Sequence, residues 1–263
     1  MSRTTGLAVL AVVLLVGAWS LRLLAPRPDL TPVPQGHRAT QELVDRFGNP
    51  KFSQYFEESI ARDFFHDQRG GVFLDVGAGD ALFNSTTAYL ERDLGWTGIA
   101  IDADPKHLEG FLKERRGSRF FAYFVSDTDG ARMPFYINDV DWRVSSGSKA
   151  FADERGRSHT VEVPTITLNT LLKRENVERI DFLSMDIEQG EPAALAGFDI
   201  RKYAPRLACI EMQPVTRDRI HEYMVRNGWV EIEKYRKWDW VNRYYTPGPG
   251  VAAATATGRA AQP

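Results

Sequence analysis

Val72-Phe73-Leu74-Asp75-Val76-Gly77-Ala78-Gly79-Asp80 decides the fold: an unbroken apolar run that reads as a buried strand and empties into a glycine turn. Glycines at that point let backbone approach a bound ligand closely, at the carboxyl end of a strand where open α/β sheets bind ligands. A dinucleotide fingerprint would place a third glycine at position 82, where this chain has Leu82, and has no need of an acid at Asp75. A carboxylate there suits a ligand carrying an ammonium group.

Outward from this turn, strand-like and helix-like patterns alternate. Ser85–Leu94 reads as a helix, Gly98–Ile101 as a strand, Pro105–Arg116 as a helix and Phe120–Val125 as a third strand. Pro134–Ile137 and Thr160–Val163 alternate in the manner of short antiparallel pieces around a mobile stretch, Asn138–His159, and Thr167–Glu175 turns helical. Ile180–Met185 and Leu207–Met212 are two further central strands, and Trp229–Tyr235 with Trp238–Tyr245 reads as a hairpin turned by Arg236 and Lys237. The expected fold is α/β: a Rossmann-like, mostly parallel seven-stranded sheet with an antiparallel edge hairpin.

The next strand ends in a second acid, Asp102, within Ala100-Ile101-Asp102-Ala103-Asp104-Pro105, where a carboxylate can grip both hydroxyls of a ribose. The third ends in Val125-Ser126-Asp127, a polar pair able to meet an adenine amino group. Three successive strand ends thus carry carboxylates toward one crevice, where they can meet the ammonium, ribose and adenine amino groups of a ligand such as S-adenosylmethionine. Singly, each Asp reads equally well as a helix cap or turn former. The fourth strand mouth, Ser184-Met185-Asp186-Ile187-Glu188-Gln189-Gly190-Glu191, delivers three more carboxylates in six residues. With Glu211 at the end of the following strand, Asp186, Glu188 and Glu191 are candidates to accept a hydroxyl proton, to anchor acceptor hydroxyls, or to ligate a hard divalent cation. Their bland reading is acidic decoration of the helix beginning near Pro192.

The chain has 263 residues, 43% of them hydrophobic and 11% aromatic, enough for one large catalytic domain. A net charge of -2 gives no electrostatic case for a nucleic-acid partner. Cys209, the single cysteine, lies in an apolar run and excludes both an intramolecular disulfide and a zinc cluster. From Gly6 to Trp19 the sequence is apolar or Gly, and it continues through Ser20, Leu21 and a snorkelling Arg22 to Leu23 and Leu24, so residues 1–24 read as a single-pass signal-anchor, with a cleaved signal peptide as the rival. Arg22, Arg27 and Arg38 against Arg3 favour a cytoplasmic catalytic domain. A proline-rich stalk over 25–37, a domain over 38–246 and a disordered tail over 247–263 complete the expected organisation. His66, His107 and His159 are expected at the surface, with His221 a reserve base.

Over roughly Ser53 to Tyr245 the chain resembles the FkbM-type methyltransferases. The landmarks are Ser53-Gln54, Gly71-Val72-Phe73-Leu74-Asp75-Val76-Gly77-Ala78, Asn84-Ser85-Thr86, Leu94-Gly95-Trp96-Thr97-Gly98, Val163-Pro164-Thr165-Ile166-Thr167-Leu168 and Met185-Asp186-Ile187-Glu188-Gln189-Gly190-Glu191. Asp102 stands where the family usually has Glu, and Gln189-Gly190 where it has Gly and a small residue. The resemblance implies a class I methyltransferase using S-adenosylmethionine, with Asp75, Gly77, Gly79, Asn84, Asp102, Ser126 and Asp127 on the cofactor, and O-methylation of a sugar, glycolipid or other small hydroxylated molecule. A membrane-tethered cofactor-binding scaffold without turnover is the alternative, and a nicotinamide oxidoreductase is disfavoured by Leu82.

Overall fold

The computed structural model describes residues 37–252. The expected anchor over 1–24, and all but the last residue of the expected stalk, lie outside the described residues; within them no helix is long and apolar enough to cross a membrane. Seven strands form the main sheet: β1 (Val72–Val76), β2 (Thr97–Asp102), β3 (Ser118–Ala122), β7 (Phe182–Met185), β8 (Leu207–Glu211), β9 (Trp229–Glu231) and β10 (Asn242–Pro247), in the order β3-β2-β1-β7-β8-β10-β9. The first five are mutually parallel, and β10 runs antiparallel to both β8 and β9. The chain builds outward from β1 to β3, then returns to lay β7 against the other side of β1. That reversal opens a crevice at the carboxyl ends of β1 and β7.

Alternation within β1 sets the two faces. Leu74 and Val76 enter one core with Leu183, Met185, Leu168, Leu171 and Ile220, while Phe73 enters the other with Ile60, Phe65, Trp96, Phe182 and Tyr244. Cys209 is buried in this second core, as its apolar neighbours implied.

Several details depart from the sequence reading. The apolar run Phe120–Val125 is not one strand: β3 stops at Ala122, and β4 (Phe124–Val125) leaves the main sheet to pair in parallel with β6 (Ser158–Ile166). With β5 (Arg132–Asn138) antiparallel to β6, these form a separate three-stranded sheet, in which the expected short pieces are longer. The stretch expected to be mobile carries a 3-10 turn at Trp142–Val144 and a helical turn at Lys149–Ala152. The C-terminal pair is joined not by Arg236 and Lys237 alone but through a 3-10 segment, Glu233–Lys237, with Trp238 buried in the second core instead of opening a strand. Chain expected to leave the fold at Pro247 stays with it through residue 252: Pro247 is registered with Trp229, Gly248 N–H donates to Gly228 O at 2.8 Å, and Val251 packs on the first core, while the rest of the expected tail, 253–263, lies outside the described residues.

Candidate functional site

A cleft of about 340 Å³ lies over the crevice. Its floor is the glycine turn, where the Gly77 and Ala78 N–H groups donate to Ile101 O at 2.8 and 3.0 Å and tie the turn to β2. Gly77 has φ +84° and leaves no room for a side chain, because a Cβ there would fall 1.7 Å from Asp186 O. Asp102 accepts from Gly79 N–H at 2.9 Å through Oδ2 and from Asp104 N–H at 2.8 Å through Oδ1. A carboxylate has about four acceptor sites, so one on each oxygen is left for a ligand's vicinal hydroxyls. Burial raises the pKa of Asp102, and the two amides oppose that shift.

Gly77, Gly79, Asn84 and Asp102 all line the cleft, as the sequence suggested, and the Asn84 Nδ2 is a buried donor without a partner. Asp75 lies beneath the cleft and does not line it. Its Oδ2 accepts from Thr87 Oγ1 at 2.6 Å, Thr87 Oγ1 accepts from the buried Arg115 at 2.9 Å, and Arg115 pairs with Glu91 at 2.6 Å. Burial pushes the Asp75 carboxyl up, while Thr87 and Arg115 hold it down. Asp75 therefore anchors the loop after the turn and acts on the cleft through its charge.

Ser126 and Asp127 are not brought to the cleft. They follow β4, not β3, and the Ser126 N–H is taken by Ile166 O at 3.0 Å while Asp127 is exposed. Tyr123, Phe124 and Val125 line the wall instead. A single apolar run conceals the bend between two strands that belong to different sheets.

On the other side of the turn, β7 and β8 deliver Asp186, Glu188 and Glu211, whose carboxylate oxygens lie within 4.8 Å of one another. This is donor chemistry that could hold a hard cation. Gln213 Nε2 donates to Glu188 Oε2 at 2.6 Å and to Glu211 Oε2 at 3.1 Å, and its own Oε1 accepts from Gln189 Nε2 at 3.1 Å. Crowding of acids away from bulk water raises all three: Asp186 is pushed to about 6, and Glu188 and Glu211 go higher through burial and the Asp186 charge. Asp186 nonetheless faces the cleft and keeps access to water. Glu188 and Gln189 have φ +51° and +79°, a left-handed pair without glycine of the kind that clusters at functional sites. Gln189 thus carries a side chain at a conformation glycine would adopt without strain, and spends it on Gln213. Glu191 is fully buried, does not line the cleft, and accepts from Ile187 N–H at 3.1 Å; it shapes the loop rather than facing a substrate.

Several cleft residues escaped sequence reading. Tyr55 and Glu57 enter from before β1, and Asn242 from the start of β10. Burial beside Asp239 raises Glu57 to about 8. His107 is buried and lines the cleft, contrary to its expected place at the surface, because the short 3-10 turn after Asp104 rotates it inward. His221 does not line it; its Nδ1 lies 3.0 Å from the Tyr245 hydroxyl. Trp142, Arg143 and Arg155 come from the segment between β5 and β6. Two signals were available: Gln213 lies two residues beyond Glu211, where an extended strand keeps its side-chain direction, and Trp142 is the one tryptophan in the polar stretch 138–159.

The domain model of the "Methyltransferase FkbM domain" matches residues 75–238. No curated protein matches the chain. Among solved structures, the chain is similar to a TehB-like SAM-dependent methyltransferase from Corynebacterium glutamicum (16% identity, 79% of this chain and 94% of that one, TM-score 0.43). It is also similar to a 1,6-didemethyltoxoflavin-N1-methyltransferase from Burkholderia thailandensis (14% identity, 80% and 82%, TM-score 0.38). A putative RNA methyltransferase from Pyrococcus horikoshii shows 12% identity over 79% and 98%, at a TM-score of 0.40. The family match spans the glycine turn, Asp102 and the whole acidic loop, and the chain belongs to the FkbM methyltransferase domain family: it is a SAM-dependent methyltransferase.

Proposed function

We propose that the protein moves the methyl group of S-adenosylmethionine to a hydroxyl oxygen of a small polyhydroxylated acceptor, such as a sugar or glycolipid. The observation that carries this reading is the cluster of Asp186, Glu188 and Glu211 beside the glycine turn. The donor supplies an electrophilic methyl on a sulfonium. In transfer, a bond forms between the acceptor oxygen and that methyl carbon, the carbon–sulfur bond breaks with its electron pair left on sulfur, and the hydroxyl proton passes to a carboxylate. Asp186 suits the last role, because a group pushed only to about 6 is largely ionised at neutral pH yet basic enough to take a proton. Glu188 and Glu211, held protonated, can donate or accept hydrogen bonds to neighbouring hydroxyls. The cleft fits the donor: Asp102 keeps free acceptor sites for ribose hydroxyls, and the unpartnered Asn84 amide offers a donor to the amino-acid carboxylate.

The acidic cleft supports an uncharged acceptor over a nucleic-acid backbone. The N-terminal segment over 6–24, apolar but for Ser20 and Arg22, supports a domain working beside the cytoplasmic face of a membrane. The test is transfer of labelled methyl to a panel of glycans and glycolipids, with and without magnesium, by wild type and Asp186→Asn. Oxygen-linked product with turnover down about a hundredfold or more in the variant, and S-adenosylhomocysteine affinity within about threefold, is expected. Undiminished turnover would remove Asp186 from its role, and nitrogen- or carbon-linked product would overturn the O-methylation reading.

A further inference from the structure

Besides the parallel sheet, the cleft has a wall made by the segment between β5 and β6. Within it, Trp142 sits half-buried on a tightly bonded 3-10 turn. Asn138 Oδ1 accepts from the N–H groups of Val140 and Asp141, both at 2.8 Å, and the Ser145 N–H donates to Trp142 O at 3.0 Å. Asp141 caps the turn through Arg143 N–H and takes the side chains of Arg143 and Arg155 at 2.7 and 3.2 Å. The ring is thereby fixed in position without packing into a core of its own segment.

It packs instead on the cofactor machinery. A Cβ at Gly79 would lie 2.7 Å from the indole, so the ring rests directly on the second glycine of the turn. Its centroid is 5.0 Å from that of His107, and Lys106 Nζ lies 5.8 Å from the ring. Gly79 binds Asp102 through its N–H, and Lys106 and His107 follow Asp102 by four and five residues, so the indole stands over the ribose-gripping carboxylate rather than the acidic cluster. Four residues on, Ser146 Oγ donates to Glu188 O at 2.6 Å and fastens the same segment to the acidic loop. One segment therefore spans both ends of the cleft.

We propose that Trp142 is a cofactor-binding residue, its indole closing the adenosine end of the cleft over Gly79 and Asp102. An indole at that place contributes aromatic surface to the nucleoside and excludes water from the ribose hydrogen bonds to Asp102. This rests on the SAM reading of the same cleft.

The experiment compares S-adenosylhomocysteine and 5′-methylthioadenosine, which lacks the amino-acid tail, by calorimetry on wild type, Trp142→Ala and Trp142→Phe. Trp142→Ala should lose about tenfold or more in affinity for both ligands alike, and Trp142→Phe should keep most of it, since loss of a base-stacking aromatic is typically worth about 1–3 kcal/mol. Indole emission should change when wild type binds S-adenosylhomocysteine, and most of that change should be lost in Trp142→Phe. Wild-type affinity in Trp142→Ala, or a loss confined to S-adenosylhomocysteine, would overturn the proposal alone. No binding by folded wild type would overturn the cofactor reading and this inference with it.

Discussion

Gly77 lies against the backbone carbonyl of Asp186 so closely that a methyl group at Gly77 would fall 1.7 Å from that oxygen. The glycine turn and the acidic loop are therefore a single packed unit. Asp186 N–H donates to Val76 O at 2.9 Å, which locks the two strand ends in register immediately before the contact.

Gly77→Ala must either separate β1 from β7 or distort a turn at φ +84°. We expect destabilisation on the order of 2–4 kcal/mol together with loss of S-adenosylhomocysteine binding. A thermal melt and titration check both; an unchanged melting temperature would contradict the close packing.

Asp102→Ala removes the acceptor proposed for the ribose and frees the N–H groups of Gly79 and Asp104 that it orders. Affinity for S-adenosylhomocysteine should fall by about 1–3 kcal/mol. Calorimetry that finds wild-type affinity would place the ribose elsewhere.

The acidic cluster makes donor binding depend on pH. Asp186 has its pKa raised to about 6, and Glu188 and Glu211 lie higher, so negative charge in the cleft grows as pH rises from 5 to 8. The sulfonium of S-adenosylmethionine gains from that charge, and the neutral thioether of S-adenosylhomocysteine does not. The ratio of their affinities should shift toward S-adenosylmethionine by roughly threefold or more over this range. Parallel titrations at pH 5 and 8 that give one ratio would show the carboxylates to be remote from the sulfur.

Arg115 is buried, pairs with Glu91 at 2.6 Å, and holds Ala81 O, Ser85 Oγ and Thr87 Oγ1 at 2.9–3.1 Å. Arg115→Met takes from the buried Glu91 its ion-pair partner, leaving it the Gly117 N–H and the Ser118 hydroxyl, while the loop under Asn84 loses its fastening. Urea denaturation should show a loss of about 3–5 kcal/mol, and a loss below about 1 kcal/mol would mean that other groups hold the loop.

The sequence alone determined the strands β1, β2, β7 and β8, the glycine turn and the acids at their ends, because an apolar run, its period and the residue that ends it are local properties. Gly77, Gly79, Asp102, Asp186, Glu188 and Glu211 were legible for that reason, Asn84 only through the family resemblance, and all of them line the cleft. Tertiary structure alone decided what the chain brings to those acids from a distance. Asp75 and Glu191 looked like cleft residues by spacing, but the face on which a buried carboxylate lies depends on partners such as Thr87 and the Ile187 amide. Ser126 and Asp127 were misplaced because the break between β3 and β4 is set by pairing with β6, some forty residues away in the chain. Trp142 reaches Gly79 and Gln213 reaches Glu188 only after the sheet has closed the intervening loops, and no local pattern encodes contacts across such separations.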